Sequence, residues 1–408
     1  MKVLVVNCGS SSVKYQLLDL ETSACLASGL ASRVAVNGGA ASQLQHRPAG
    51  RAEYLFTAPM SDHEVALGYI LEALVNAEHG VVQSLQEIDA IGHRVLHGGD
   101  AFAEPVLISG VVEAAIERFS ELGPLHNPAN LLGIRACKHR LPGVPQVAVF
   151  DTAFHQTLAP ADYTYGLPLE LCEEYKIRRY GFHGTSHRYV SREAAKFLQA
   201  NRGLAPENLR LLTCHLGNGS SVDAIHGGKA VRTSMGFTPL AGLVMGTRCG
   251  DIDPAVIPFL INHLHLSAQE LDDLMNKQSG LLGISGISSD MRDIHQAAAA
   301  GNARAQLAQD MFCVRLKEYI GAYATAMNGL DALVFTAGIG ENDPIIRAQT
   351  MHGMEFLGLH LDPAKNEDAS LRGRPADIST EDSPARILVI PTNEELMIAR
   401  DTASLTAH

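Results

Sequence analysis

Two short stretches rich in glycine, serine and asparagine contain the residue types that hold phosphate oxygens in proteins. They are Asn7-Cys-Gly-Ser-Ser-Ser-Val-Lys14 and His215-Leu-Gly-Asn-Gly-Ser-Ser-Val222. Turns of this composition can point backbone N–H groups and hydroxyls into a concavity that suits an anion. Each stretch by itself is equally typical of an ordinary hairpin turn.

The two stretches resemble each other. Each follows an apolar run and ends in Ser-Ser-Val, and Val13 and Val222 are 209 positions apart, about half the chain. Self-similarity at this spacing predicts two related half-molecules rather than a solenoid. We therefore expect two phosphate-gripping hairpins that face a cleft between the halves.

Four charged residues stand in stretches where α/β folds commonly carry their chemistry. Arg94 and Arg248 lie near glycines at the ends of apolar runs. A guanidinium there can clamp a carboxylate or a phosphate, although an arginine is also a common surface charge. Asp151 and Glu394 follow predicted strands, as carboxylates that position Mg²⁺ commonly do. These residues indicate a site for anionic substrates and a metal ion.

His183 and His187 are four residues apart, a spacing that would put both on one face of a helix. Zinc is not indicated, because the segment has no third ligand and no His-Glu-x-x-His pattern. Gly184 predicts an interruption of any helix at this place. We therefore expect a hydrogen-bonding histidine in a loop, and near a transferring phosphate it would stabilise charge.

The common nucleotide-binding fingerprints do not fit this sequence. A phosphate loop around Gly228-Lys229 would need glycine at 223 and serine or threonine at 230, where the chain has Asp223 and Ala230. The turn Gly338-Ile-Gly340 follows a strand but lacks the third glycine of the dinucleotide fingerprint. Together with the two hairpins, this turn could hold the nucleoside end of ATP.

The elements that must position these residues alternate between strands and helices, which predicts α/β layers. The strands most relevant to the site are predicted within 88–99 and at 146–150, 332–336 and 387–390. The clearest helices are predicted at 63–77, 189–198 and 303–327, and a last helix begins near residue 393. Segment 37–50 is predicted to be a surface loop, segment 337–342 a turn, and the glycine-rich segment 233–254 a functional loop.

Length and composition limit the class of protein. A chain of 408 residues exceeds one ordinary hydrophobic core, so two domains are expected. A net charge of −12 argues against nucleic-acid or anionic-membrane surfaces and favours small-molecule partners. Seven cysteines without a Cys-x-x-Cys pair form neither a disulfide framework nor a zinc ribbon. With no signal-peptide core and no apolar run of about 18 residues, we expect a cytoplasmic protein.

Together these segments resemble the acetokinase family of the actin, Hsp70 and sugar-kinase superfamily, over nearly the whole chain. The matching motifs are Asn7-Cys-Gly-Ser-Ser-Ser-Val-Lys14, Gly92-His-Arg94, Pro124-Leu-His-Asn-Pro128, Phe150-Asp-Thr-Ala-Phe-His155, Gly181-Phe-His-Gly-Thr-Ser-His187, His215-Leu-Gly-Asn-Gly219, Met245-Gly-Thr-Arg248, Ser289-Asp-Met-Arg292, Gly338-Ile-Gly-Glu-Asn342 and Pro391-Thr-Asn-Glu394.

The resemblance implies an α/β fold of two related actin-like ATPase domains, a duplicated ribonuclease-H-like fold around a central cleft. The implied domains are 1–151 with a returning helix at 395–408, and 152–394. The implied activity is ATP + acetate ⇌ ADP + acetyl phosphate, by direct in-line attack in a homodimer that binds neither nucleic acid nor membrane. ATP and ADP act as substrates, and Mg²⁺ is the metal, with Mn²⁺ as a substitute.

The resemblance also implies a role for each site residue. Arg94 binds the acetate or acetyl group, Asp151 is a catalytic carboxylate, and His183 with Arg248 stabilises the transition state. Asn7 and Glu394 hold the metal. The implied nucleotide contacts are Lys14, His215, Leu216, Gly217, Asn218, Gly219, Asp290, Met291, Arg292, Gly338, Ile339, Gly340, Glu341 and Asn342.

Three residues depart from the family pattern. Cys8 replaces a usual alanine, Arg232 replaces a common aspartate, and Leu96 replaces a frequent valine near the acyl pocket. The first exchange looks neutral, and the second would alter a local ion pair. Leu96 would narrow the pocket in favour of acetate over propionate. Two alternatives remain: a kinase for propionate or another short-chain carboxylate, and an ATP-gated binding module like Hsp70 or actin.

Overall fold

The computed structural model describes residues 1–124 and 126–407. Leu125, which belongs to the Pro-Leu-His-Asn-Pro motif, and His408, at the end of the predicted returning segment, lie outside the described residues. No helix in the described part of the chain combines the length and the apolar character that crossing a membrane would require.

The chain divides into two compact units. The first consists of Met1–Gln156 together with Asn393–His408, and the second of Thr157–Thr392. Glu394 thus belongs to the same unit as Arg94 and Asp151. The functional domain limits expected from the sequence, near residues 151 and 395, remain a prediction.

The first unit is built on one eight-stranded sheet. Its strands are β1 (Lys2–Gly9), β2 (Ser12–Asp19), β3 (Ala24–Ser32), β4 (Gln43–Pro48), β5 (Tyr54–Thr57), β6 (Ala90–Val95), β7 (Val106–Leu107) and β8 (Gln146–Phe150). They lie in the order β5-β4-β3-β2-β1-β6-β8-β7. Strands β1, β6 and β8 are parallel, so their carboxyl ends share one edge of the sheet.

Helices pack on both faces of this sheet. They are α1 (His63–Val75), α2 (Gly110–Arg118), α3 (Asn127–Arg140) and the C-terminal helix Glu394–Thr406. Successive residues of a strand face opposite sides, and β1 shows the result. Leu4 and Val6 share a core with residues of α1 and α3, whereas Val3 and Val5 pack with Ile398 of the C-terminal helix.

The second unit is built on a six-stranded sheet. Its strands are β9 (Arg210–Leu216), β10 (Ser220–His226), β11 (Lys229–Thr233), β12 (Ala332–Thr336), β13 (Ala376–Asp377) and β14 (Arg386–Val389). The order β11-β10-β9-β12-β14-β13 repeats the order β3-β2-β1-β6-β8-β7 of the first unit, with the same directions. Val13 lies opposite Cys8, and Val222 lies opposite Cys214. The repeat predicted from the two hairpins is confirmed as a repeated topology.

The helices of the second unit complete its layers. They are α4 (Pro160–Tyr163), α5 (Leu169–Glu174), α6 (Gly184–Arg202), α7 (Val256–Leu264), α8 (Ala268–Lys277), α9 (Gly280–Ser285), α10 (Met291–Ala299), α11 (Ala303–Ala326), α12 (Ala337–Asn342), α13 (Pro344–Met351) and α14 (Pro363–Glu367). The C-terminal helix of the first unit, Glu394–Thr406, is called α15. Helix α11 contributes Phe312 and Leu316 to the core that also contains Leu212 and Phe335 of the sheet.

Three local predictions were wrong. Segment 37–50 contains β4, whose buried alternate residues are Leu44, His46 and Pro48. A histidine and a proline in that alternation hide the strand signal. Segment 337–342 forms helix α12 rather than a turn. Gly184 begins α6 instead of interrupting it, because His183 precedes the helix in a left-handed conformation with φ of 57°.

Candidate functional site

In the first unit, predicted site residues lie at the shared edge of three parallel strands. Asn7 is near the end of β1, Arg94 is near the end of β6, and Asp151 directly follows β8. The Asp151 N–H donates to the Val95 carbonyl at 3.0 Å, which continues the strand pairing into the site. Parallel pairing therefore brings together residues that are far apart in the sequence.

Arg94 and Asp151 form a two-point ion pair. Arg94 Nε donates to Asp151 Oδ1 at 3.1 Å, and Nη2 donates to Oδ2 at 2.5 Å. Asp151 is fully buried, whereas Arg94 keeps 23% of its side chain exposed. A guanidinium has five N–H donors, so three remain for a ligand. Asp151 is thus a partner that orients Arg94, and its role as a catalytic carboxylate remains a prediction.

Glu394, the first residue of α15, adds a second carboxylate beside Arg94. Its Oε2 lies 3.8 Å from Arg94 Nε. Burial raises the pKa of Glu394 to about 7, with Arg94 opposing the shift and Asp151 adding to it. Burial lowers the pKa of Arg94, but the charges of Asp151 and Glu394 outweigh it and the net shift is upward. Arg94 therefore lies beside two carboxylates. When both are ionised, the group carries an excess negative charge that a bound cation would neutralise.

The same edge offers oxygen atoms for a hard cation. Asn7 supplies an amide oxygen and Glu394 a carboxylate, which are ligand types that Mg²⁺ prefers. Mg²⁺ is usually held by one or two carboxylates together with substrate phosphates and water. Across 1–124 and 126–407, no group of three or more His, Cys, Asp and Glu side chains could hold a metal. These residues fit a Mg²⁺ ion that arrives with a phosphate substrate. Lys14 lies opposite Asn7 on β2 with an exposed side chain.

In the second unit, three histidines cluster beside the β9–β10 turn. His183 Nδ1 lies 2.9 Å from Ser221 Oγ, and the His183 ring stacks on His215 with ring centres 4.1 Å apart. His187 Nε2 also contacts Ser221 Oγ, at 2.7 Å. The hydroxyl of Ser186 contacts His215 Nδ1 at 2.8 Å. Hydrogen bonds thus fix the orientation of these rings.

Arg248 lies next to the same turn. A Cβ atom built on Gly219 would be 3.3 Å from His183 Nε2 and 3.4 Å from Arg248 Nη1, so both side chains border this glycine. Arg248 Nη1 donates to the Pro239 carbonyl at 3.0 Å. No carboxylate within the described ranges forms an ion pair with it, and burial lowers its pKa. This partly buried cation can still receive an anion.

Three predicted nucleotide segments surround one cavity of about 600 Å³. Each of the segments at 215–219, 290–292 and 338–342 supplies part of the wall. The cavity is lined by Gly217, Asn218, Ser289, Asp290, Met291, Arg292, His295, Gly338, Ile339, Asn342, Asp343, Pro344 and Ile345. A Cβ built on Gly338 would meet no atom within 4 Å, which leaves room on that side of α12.

Other predicted nucleotide residues support this cavity without lining it. Glu341 Oε1 accepts from the N–H groups of Ala337 at 2.8 Å and Thr392 at 3.0 Å. Leu216 is fully buried, and a Cβ on Gly340 would crowd Phe335 at 3.3 Å. His215 and Gly219 belong to the histidine cluster, and Lys14 belongs to the first unit. Within the wall, Asp290 caps α10 by accepting from the Arg292 N–H at 2.9 Å.

Sequence reasoning missed several residues of this wall. The most polar of them are His295 on α10 and Asp343 at the start of α13, whose side chains are 2.7 Å apart. The sequence offers one usable signal, because Asp343 precedes Pro344 as an N-cap precedes a helix that begins with proline. Nothing in the sequence pairs His295 with Asp343, 48 residues later.

The three departures from the family pattern occupy ordinary environments. Cys8 is buried, and burial raises the pKa of its thiol to about 12, so it is an inert core residue. Arg232 forms an ion pair, with Nη1 2.5 Å from Asp162 Oδ2. Leu96 is 7% exposed, and its N–H donates to Asn130 Oδ1 at 3.0 Å. The effect of Leu96 on substrate size remains a prediction.

Comparison with known proteins agrees over the whole chain. The pattern of the Acetokinase family matches residues 2–400. An acetate kinase of Desulfitobacterium hafniense is 56% identical over 405 residues, which cover 99% of each chain. The chain belongs to the acetokinase family. An acetate kinase of Clostridioides difficile, 55% identical over 406 residues, also supports this membership, with 99% of this chain and 100% of that one covered.

Solved structures of the acetokinase family share this fold. The crystal structure of Porphyromonas gingivalis acetate kinase matches with a TM-score of 0.93 and 46% identity over 99% of each chain. A propionate kinase from Francisella tularensis matches with a TM-score of 0.90 and 42% identity, again over 99% of each chain. The predicted family and fold class are confirmed. The enzyme class is confirmed with them, an ATP:acetate phosphotransferase.

Proposed function

We propose that this protein catalyses reversible, Mg²⁺-dependent phosphoryl transfer from ATP to acetate, by direct in-line attack that yields acetyl phosphate and ADP. The observation that carries this proposal is Arg248, a partly buried guanidinium that borders Gly219 beside His183 and has no carboxylate partner in the described chain. Such a cation stabilises an anion that binds to it. A phosphoryl group in transfer is the anion that fits this family.

The chemistry needs no general base. A carboxylic acid with a pKa near 4 to 5 is already ionised at neutral pH, so acetate is nucleophilic as it binds. The barrier is the repulsion between acetate and the phosphates. In this proposal Arg94 binds acetate through donors that Asp151 leaves free, and Asp151 acts as a positioning residue. Arg248 and His183 stabilise the charge of a metaphosphate-like transition state.

ATP and ADP are assigned to the cavity of the second unit. Gly217 and Asn218 suit the phosphates, because both line the cavity and Asn218 carries a side-chain amide donor. Gly338 and Ile339 suit the nucleoside. The remaining proposed nucleotide residues are Lys14, His215, Leu216, Gly219, Asp290, Met291, Arg292, Gly340, Glu341 and Asn342, of which Leu216, Gly340 and Glu341 act by supporting the loop.

Asn7 and Glu394 are the proposed metal ligands. When bound, Mg²⁺ would neutralise charge on the phosphates, and Mn²⁺ would substitute because it accepts the same oxygen donors. Burial raises the pKa of Glu394, and a divalent cation bound beside it would favour the ionised carboxylate.

Acetyl phosphate formation tests the proposal directly. Purified protein is incubated with ATP, Mg²⁺ and acetate, and hydroxylamine traps the acyl phosphate as a hydroxamate. We expect product only when acetate and ATP are both present. ATP consumption that acetate does not stimulate would reject the proposal and favour a slow ATP-gated binding module.

A preference for propionate is the second candidate. It is favoured by the Francisella tularensis structure, described as a propionate kinase, which matches at 42% identity. The same trapping assay with acetate and propionate in competition decides between them. We expect acetate to win, because Leu96 adds bulk where the family often has valine.

We further propose a cytoplasmic homodimer with no nucleic-acid or membrane partner. None of the nine residues of α7 is buried, and its apolar side chains include Phe259, 56% exposed, and Leu264, 59% exposed. A second copy of the chain is the expected cover for this helix, as the family resemblance implies. Light scattering should give twice the mass of the chain, and Phe259→Glu should give the monomer mass. The net charge of −12 supports the absence of polyanionic partners.

A further inference from the structure

His295 is a polar residue of the cavity wall that belongs to none of the matching motifs. We propose that His295 is a positioning residue of the nucleotide cavity, held as an imidazolium by hydrogen bonds from both ring nitrogens, and that it ties two walls of the cavity together. This inference rests on the proposed binding of ATP and ADP in that cavity.

A chain of side-chain amides fixes one ring nitrogen as a donor. The carboxylate of Asp310 can only accept, and Gln349 Nε2 lies 2.6 Å from its Oδ1. Gln349 therefore turns its carbonyl oxygen toward Gln309, whose Nε2 donates to it at 2.8 Å. The Oε1 atom of Gln309 is then left for His295 Nδ1, 2.9 Å away. Since that oxygen accepts, Nδ1 must carry a hydrogen.

The other ring nitrogen has a carboxylate partner. His295 Nε2 lies 2.7 Å from Asp343 Oδ2, and the side chain of His295 is 17% exposed. A carboxylate accepts, so Nε2 also carries a hydrogen, and a ring with two N–H groups is the cation. The hydrogen bond to Asp343 raises the pKa of His295, against the opposing effect of partial burial.

The ion pair joins elements that carry the predicted nucleotide residues. His295 lies on α10, whose first turn contains Met291 and Arg292. Asp343 caps α13, since its Oδ1 accepts from the Ile345 and Ile346 N–H groups at 3.1 and 3.0 Å, and it directly follows α12. Breaking the pair would let α10 move relative to α12. Because both ring nitrogens are engaged by protein, His295 acts on the nucleotide through this geometry.

The test compares nucleotide binding and turnover in the full-length enzyme. His295→Gln should raise the Kd for Mg-ADP, measured by calorimetry, and the KM for ATP by about tenfold, the cost of one charged hydrogen bond. We expect kcat at saturating ATP and the KM for acetate to stay within about twofold. Asp343→Asn, which keeps a helix cap, should weaken nucleotide binding similarly. His226→Gln, on the exposed end of β10, is the matched control and should bind normally.

Nitrogen NMR measures the protonation of the His295 ring directly, which a purely structural role would not require. At neutral pH both ring nitrogens of His295 should show the shifts of protonated nitrogen. One unprotonated nitrogen would overturn the charge assignment, and an unchanged Kd in both folded variants would overturn the positioning role. Equal losses for ATP and acetate would also reject it. If the wild type fails to bind Mg-ADP at all, the proposed use of the cavity falls, and this inference with it.

Discussion

Asp151, fully buried, holds the guanidinium of Arg94 by two hydrogen bonds while leaving Arg94 partly exposed. In the proposed function, Arg94 is the residue that contacts acetate and Asp151 is the residue that orients Arg94. In the proposed mechanism Asp151 therefore acts through Arg94 and removes no proton.

Asp151→Asn keeps the shape of the side chain but removes its charge. Arg94 then loses its two-point partner and faces Glu394 alone, so we expect kcat/KM for acetate to fall by roughly two powers of ten. Steady-state kinetics with acetate as the varied substrate measure this. Asp162→Asn breaks another arginine pair, with Arg232, and should leave acetate kinetics near wild type. Equal effects of the two variants would contradict the positioning role of Asp151.

Arg248→Ala removes the cation that borders Gly219. We expect turnover to fall by roughly three to five powers of ten, the range seen when a charge-stabilising arginine is lost. The affinity for ATP should change little, because Arg248 does not line the nucleotide cavity. Hydroxamate formation measures the turnover, and calorimetry with ADP measures the nucleotide affinity. Arg210→Ala, which breaks the ion pair with Asp331, is the control. A loss below tenfold would remove Arg248 from the mechanism.

Leu96→Ala tests the size of the acyl pocket. If Leu96 lines it, the ratio of propionate to acetate use should rise about tenfold, since one methylene is worth about 1 to 3 kcal/mol. Leu209→Ala removes another buried leucine, in the second unit, and should lower stability without changing the ratio. An unchanged ratio in Leu96→Ala would place this side chain outside the pocket.

Glu394→Gln tests the metal assignment. The Mg²⁺ concentration for half-maximal activity should rise at least about tenfold, because the amide keeps an oxygen but loses the charge. Without metal, the variant should unfold at a higher temperature at pH 8. Because the pKa of Glu394 is raised in the folded protein, its ionisation at pH 8 lowers the free energy of unfolding of the wild type, and glutamine avoids this cost. A normal Mg²⁺ requirement would exclude Glu394 as a ligand.

His295 should make stability depend on pH in a defined direction. Its pKa is raised in the folded protein, so the stabilisation is fully present below the pKa of the unfolded chain and is lost as pH rises through the folded pKa. Thermal unfolding of the wild type and of His295→Gln should therefore differ most at low pH and converge at high pH. A difference that grows with pH would show that the imidazolium is absent.

The sequence was sufficient for features that depend on local pattern. Strands β8 and β12 were predicted at their observed limits because each contains an unbroken run of four apolar residues, 147–150 and 332–335. The two hairpins also identified the repeated topology. Arg94 and Asp151 could be named because each stands at a strand end, yet their pairing depends on the parallel register of β6 and β8.

Other features required the three-dimensional structure. The two glycines of α12 argued against a helix. The structure shows contacts that stabilise it: Glu341 accepts from the Ala337 and Thr392 N–H groups, and Arg347 donates to the Gly340 carbonyl. The protonation of His295 depends on amides from α11 and α13, and no spacing in the sequence connects them to α10. Local sequence patterns do not predict side-chain networks between elements that are far apart in the chain.

The left-handed backbone of His183, with φ of 57°, also limits how this position can evolve. Side chains that carry a Cβ atom are disfavoured in that conformation, and asparagine, aspartate and histidine tolerate it better than most. The backbone conformation at position 183 therefore disfavours most replacements, whatever their effect on the chemistry. Among neutral replacements for the imidazole, asparagine is the one whose kinetic defect would report the lost ring and not a displaced helix.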